Sequence, residues 1–167
     1  WKAPAGICDA LDALVWMEQN GPHGPRKARK IFVSGDSSGG GMCLALALAA
    51  TNGIPGVEGK ETPLDFPIAG VVAICPLTDL TYDFRRKKYN SYKTRLWDAE
   101  TRTGDPIFTD SHGNLLKDQM DRQERIRSYT GGGNLQAELL SPLWAKSFEG
   151  LPPILLCVTH RFTHQAR

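Results

Sequence analysis

The stretch Val33-Ser34-Gly35-Asp36-Ser37-Ser38-Gly39-Gly40 places a hydroxyl among glycines where a short apolar segment gives way to the Leu/Ala-rich run GMCLALALAA. Gly35 to Gly39 fits G-x-S-x-G, a pattern that carries chemistry only when a strand precedes it and a helix follows, and both are expected here. Glycines let a backbone turn sharply without a side-chain clash, which holds the middle serine out at the strand's carboxyl end. Ser37 is the candidate nucleophile. Gly35, Asp36, Gly39 and Gly40 build the elbow around it, and the Ser38 backbone N–H, at the amino end of the helix, is the expected oxyanion donor for acyl transfer.

Two plainer readings compete: Ser37 caps the helix, or the glycines cradle a phosphate. A phosphate loop wants G-x-x-x-x-G-K-[ST], and no lysine follows these glycines. A nucleophilic serine in turn needs a hydrogen-bonded base held by a carboxylate. After the apolar run Ile154–Val158 come Thr159-His160-Arg161-Phe162-Thr163-His164-Gln165-Ala166-Arg167, with no aspartate. His160 and His164 stand four apart, on one face of any helix there, which invites a base or a metal ligand. The first has no glutamate beside it and no third ligand nearby, so no metal site is expected. His23 and His112 fall in loop-like segments and are expected to face water. No motif calls for a cofactor.

These 167 residues can build one domain with a buried core. The net charge of +2, from 20 Lys and Arg against 18 Asp and Glu, gives no field that argues for nucleic acid or an anionic surface. GPHGPRKARK (21–30) is basic but lacks interleaved aromatics and reads as a solvated connection. The runs Leu44–Ala50 and Ile68–Cys75 are shorter than the roughly 20 residues of a membrane span, and Trp1-Lys2-Ala3-Pro4 opens no secretory signal. Cys8, Cys43, Cys75 and Cys157 each sit in an apolar segment and read as reduced, small hydrophobes, which favours a cytoplasmic protein. Nothing sets an oligomeric state.

Four elements position the serine. Ile7 to Asn20 repeats apolar residues at Ile7, Leu11, Leu14 and Val15, with Asp9 and Asp12 early, predicting a helix stopped by Gly21-Pro22. Ile31-Phe32-Val33 predicts a strand, and Gly41 to Ala50 a helix buried against a sheet. Ile68–Cys75 and Ile154–Val158 are near-continuous apolar runs of the parallel-sheet kind. From Thr81 to Arg127 the sequence turns charged and aromatic, with Tyr89, Tyr92 and Trp97, an excursion (82–127) from a single domain over 1–167. It carries a possible hairpin between Pro106-Ile107-Phe108 and Leu115-Leu116, or helices around Leu116 to Tyr129.

GDSSGG, preceded by CDALDALVWM and followed by PLTDL, SPLWA and LPPILL, resembles the hormone-sensitive-lipase-like branch of the α/β-hydrolases, which includes carboxylesterases, arylacetamide deacetylases and gibberellin receptors. The resemblance runs from about Ala5 to Val158 and is weakest between Tyr82 and Arg127. It implies a partial α/β-hydrolase fold, a mostly parallel sheet flanked by helices, and Ser37 attacking a small-molecule or lipid ester. In that pattern Asp36 belongs to the elbow and Asp79 of PLTDL stabilises local structure.

The same resemblance places the family's H-G-G-G motif upstream of Trp1. Its triad aspartate and histidine would lie beyond the strand that LPPILLCV resembles, so neither is present in this chain. Thr130-Gly131-Gly132-Gly133 lacks the histidine, comes on the wrong side of the serine, and reads as a loop. The chain is therefore expected to be an incomplete fragment of an esterase or lipase. A gibberellin-receptor-like binding module without catalysis is the alternative, since such receptors keep the elbow and lack the triad histidine. A sheet that stops before its last strand is also expected to leave an apolar face and edge uncovered.

Overall fold

The computed structural model describes residues 2–81 and 117–158, those of 117–123 by backbone only. It divides into two compact units, Trp1–Thr81 with Gly133–Val158 and Tyr82–Gly132 with Thr159–Arg167. Most of the expected 82–127 excursion, its possible hairpin, Trp1, and the tail with His160 and His164 lie outside the described residues.

The first unit carries α1 (Ala5–Gln19), β1 (Phe32–Asp36), α2 (Ser38–Asn52), β2 (Gly70–Ile74), a 3₁₀ turn at Pro142–Trp144, and β3 (Ile154–Cys157). The three strands form one parallel sheet in the order β1-β2-β3. In the register, Phe32 lies opposite Gly70 and Asp36 opposite Ile74, while Val71 lies opposite Ile154 and Ile74 opposite Cys157. The fold class is therefore α/β, in the parallel form that the apolar runs imply. The described part of the second unit is α3 (Lys117–Thr130) with Gly131 and Gly132 at φ 67° and 79°. Gly132 N–H donates to the Arg127 carbonyl, so T-G-G-G is the end of a helix and the loop after it.

α2 is buried nearly all round, from Gly40 through Ala50 with Met42 the exception, because leucines and alanines leave it no polar face. It packs on β1, β2 and α1, and the core joins Ile7, Leu11 and Leu14 of α1 to Leu44, Leu46, Val71 and Ala73. Val15 departs from expectation: it is exposed, because the stripe through Ile7, Leu11 and Leu14 turns it outward. Asp9 and Asp12 lie past the first turn of α1, too far in to favour its amino end. Asp12 instead accepts a charged hydrogen bond from Lys60.

The basic 21–30 connection folds back on α1. Ala28 N–H donates to the Glu18 carbonyl at 2.8 Å, and Lys27 Nζ meets Glu18 Oε1 at 2.9 Å, a contact that raises the Lys27 pKa. On β3 the apolar side chains of Ile154, Leu155 and Leu156 are exposed, as is Val158 beyond it. A groove of about 450 Å³ runs between Leu44 and Leu48 of α2, Leu143 and Phe148, and β3. No described helix is long and apolar enough to cross a membrane.

The four cysteines are free and unequal: Cys43 is buried, Cys8 and Cys157 are half-buried, and Cys75 is exposed. Cys75, at the end of an apolar run, is the exposed one, with a φ of 42° where the chain leaves β2. Burial raises the Cys43 thiol pKa above its ordinary 9.0. The folded state holds this proton to higher pH than the unfolded chain does, so the contribution is complete below pH ~9 and lost as pH rises through the raised value. Thiol titration of the native chain is expected to modify Cys75 first and Cys43 last, a ranking checked by mass spectrometry of partly alkylated protein.

Candidate active site

β1 runs into α2 with one residue between them, and that residue is Ser37. Its backbone sits at φ 55° and ψ −116°, a conformation costing a non-glycine residue about 1–3 kcal/mol unless its surroundings hold it. They do so through backbone groups. Ser37 N–H donates to the Ile74 carbonyl at 2.9 Å, and its carbonyl accepts from Gly41 N–H at 3.1 Å and Leu77 N–H at 2.9 Å. The turn is gripped from the end of β2 and from the first turn of α2 at once. The side chain is exposed and makes no capping hydrogen bond to the helix, which removes the cap reading. Ser38 is the first residue of α2 and is exposed, its amide among those that a helix leaves unpaired.

The glycines divide by what surrounds them. A methyl on Gly35 would overlap the Gly39 carbonyl group and come within 2.9 Å of the Cys43 sulfur. At Gly40 it would be 3.1 Å from the carbonyl oxygens of Gly35 and Ile74, and at Gly41 it would overlap the Leu77 carbonyl. At Gly39 it would meet nothing within 4 Å. The close approaches fall at Gly35, Gly40 and Gly41; G-x-S-x-G marks the first, misses the last, and marks Gly39, where the turn leaves room.

PLTDL and SPLWA meet here, although more than 60 residues separate the bonded groups. Leu143 N–H donates to the Thr78 carbonyl at 3.0 Å, and Leu80 N–H donates to the Ser141 hydroxyl oxygen at 2.8 Å. Ser141, fully buried, donates its own hydroxyl hydrogen bond to the Leu135 carbonyl at 2.6 Å. The buried Asp79 carboxylate accepts from the Thr81 amide, the Thr81 hydroxyl and, at 3.2 Å, the Trp144 indole N–H. Asp79 thus holds the loop together, the role expected for it.

Of the predicted residues, the structure brings Gly35, Asp36, Ser37, Ser38, Gly39 and Gly40 together at the sheet's carboxyl edge, with Asp36 exposed. His23 is exposed in its loop. Among the described residues no group of three His, Cys, Asp or Glu could hold a metal ion. Sequence reasoning missed Gly41, Cys75, and Ser141 with Trp144, all of which lie around the turn that holds the serine or the loop that supports it. Their only sequence signal is proximity to motifs already quoted.

A family described as alpha/beta hydrolase fold matches residues 1–164. This chain belongs to that family. Among solved structures it is similar to an esterase/lipase from an uncultured bacterium, with 25% identity, TM-score 0.56, and 93% of this chain covered against 40% of that one. It is also similar to a fungal esterase from Rhizomucor miehei (24%, TM-score 0.59, 93% against 41%). A hyperthermophilic esterase from the archaeon Pyrobaculum calidifontis (23%, TM-score 0.51, 93% against 41%) adds the same fold. The chain spans about two fifths of the length of these structures. No curated protein matches it.

Proposed function

We propose that this chain carries the nucleophile-bearing part of a serine hydrolase acting on carboxylic esters. Ser37 is the nucleophile, the G-D-S-S-G-G turn is its elbow, and small-molecule or lipid esters are the substrate class. The observation that carries the reading is the strained backbone of Ser37, exposed between β1 and α2 and held by backbone bonds on both sides.

In the reaction the Ser37 Oγ–H bond gives its proton to a base as Oγ adds to the ester carbonyl. The carbonyl electron pair moves onto oxygen, where the Ser38 N–H supports the negative charge. Collapse expels the alcohol, which takes up the proton, and leaves an acyl group on Ser37. Water removes that group by the same sequence. We assign the base and its carboxylate to no described residue; His160 and His164 lie outside them.

The test is a fluorophosphonate probe, which phosphonylates an activated serine, together with a short-chain p-nitrophenyl ester. Both are applied to this chain, to a longer product of the same gene carrying an acid and a base, and to Ser37→Ala of each. Labelling of the longer product at Ser37, lost with its turnover in Ser37→Ala, is the expected result. A longer product that folds, neither labels nor turns over, and still binds a small acidic ligand would replace this reading with a binding module.

A further inference from the structure

Of the three backbone hydrogen bonds that hold Ser37 among the described residues, one comes from a segment with no regular structure of its own. Beyond Ile74 the chain turns at Cys75 and runs through Leu77, whose amide holds the Ser37 carbonyl, to Leu80. This segment belongs to no helix or strand. It is tied instead to residues 141–144 by the Leu143 amide on the Thr78 carbonyl, the Ser141 hydroxyl on the Leu80 amide, and the Trp144 indole on Asp79. On its other side the Leu77 carbonyl lies so close to Gly41 that no side chain fits between them.

We propose that Ser141 and Trp144 are positioning residues for Ser37: they clamp the 77–80 segment, and through the Leu77 amide the clamp fixes the conformation in which the serine is presented. Neither touches the reacting atoms. If the clamp opens, the Ser37 carbonyl loses Leu77 and keeps only Gly41, and from the β2 side only the bond of the Ser37 N–H to the Ile74 carbonyl then opposes relaxation of the turn out of its strained conformation. The inference rests on reading Ser37 as the nucleophile only for its catalytic consequence; the mechanical link is tested without any activity.

Amide hydrogen exchange of the native chain in low urea reads that link directly, because amides released by one opening share its free energy and its urea dependence. Leu77, Leu80 and Leu143 are expected to exchange as one unit, separately from ladder amides of β1 and β2 such as Val33 and Val72. Trp144→Phe, which removes the indole N–H together with part of the ring, is expected to speed exchange at Leu77 at least fivefold beyond any change at the ladder amides. If the Leu77 amide opens with the ladder rather than with Leu80 and Leu143, the clamp is refuted, and this comparison needs no variant. If a folded Trp144→Phe leaves Leu77 protection unchanged, or shifts every amide by one factor, it is refuted as well.

In a longer gene product that labels, Trp144→Phe is expected to slow the fluorophosphonate reaction about tenfold at saturation while half-saturation stays put. A purely structural role would instead reduce the labelled fraction at an unchanged rate. Absence of labelling in the unsubstituted longer product defeats the nucleophile reading and leaves the exchange experiment to judge the clamp.

Discussion

Gly41→Ala is expected to destabilise the chain by about 3 kcal/mol, the upper part of the range for forcing an extra methyl into a packed site. The added Cβ overlaps the Leu77 carbonyl, a backbone group, so no side-chain rotation relieves it. Backbone on both sides resists a shift: Leu77 N–H is bonded to Ser37, and the next carbonyl, of Thr78, to Leu143. Alanine is intrinsically better than glycine inside a helix by about 1 kcal/mol, which works against the clash without matching it. Gly39→Ala has the same helix gain and no clash, so it is expected to be neutral or stabilising by up to ~1 kcal/mol. In thermal melts the two variants should separate by roughly 6–16 °C, taking about 2–4 °C per kcal/mol for a chain of this size. Equal melting temperatures would show that helix and loop do not approach as closely as described.

Ser141→Ala is expected to cost about 2–4 kcal/mol. Its hydroxyl serves two backbone groups at a fully buried position, accepting from the Leu80 amide and donating to the Leu135 carbonyl. Alanine leaves both without a partner, and each unsatisfied buried group costs about 1–3 kcal/mol, offset in part by no longer burying a hydroxyl. The urea midpoint should fall with an unchanged slope, since the surface exposed on unfolding is the same. A loss below ~0.5 kcal/mol would mean that water reaches these groups and that the site is less closed than its burial indicates.

Which of these features the sequence discloses follows from the range of the forces involved. α2 is legible because a run of leucines and alanines without a polar face has only one stable placement, against a sheet. β3 is legible as a strand from its apolar run, but the burial that such a run implies is not met, since Ile154, Leu155 and Leu156 are exposed at the edge of the described sheet. β1 is misread as Ile31–Val33 because Ser34, Gly35 and Asp36 are not strand-like residues. Pairing with Val72, Ala73 and Ile74 makes them a strand, and a partner nearly 40 residues away leaves no local trace. Cys75 ends an apolar run and reads as core, yet the turn that brings Leu77 to the serine rotates it into solvent.

The serine itself is found from G-x-S-x-G in its strand-to-helix setting. The pattern records spacing along one segment, so it cannot show that Gly41 rather than Gly39 faces a second segment, nor that SPLWA is what steadies PLTDL. Those facts are tertiary, and they emerge only when the pieces are set side by side.

Among the described residues, the hydrogen bonds that hold residue 37 in place are made by its own amide or carbonyl with the backbone of other residues, and its side chain takes no part in the cap. The turn is therefore a mount indifferent to what it carries. A cysteine, an alanine or an aspartate at this position would be presented at the same point and angle, so reactivity here can be exchanged or erased while the scaffold stays the same. What this position offers to its surroundings can therefore be changed one side chain at a time, with no need to rebuild the ground beneath it.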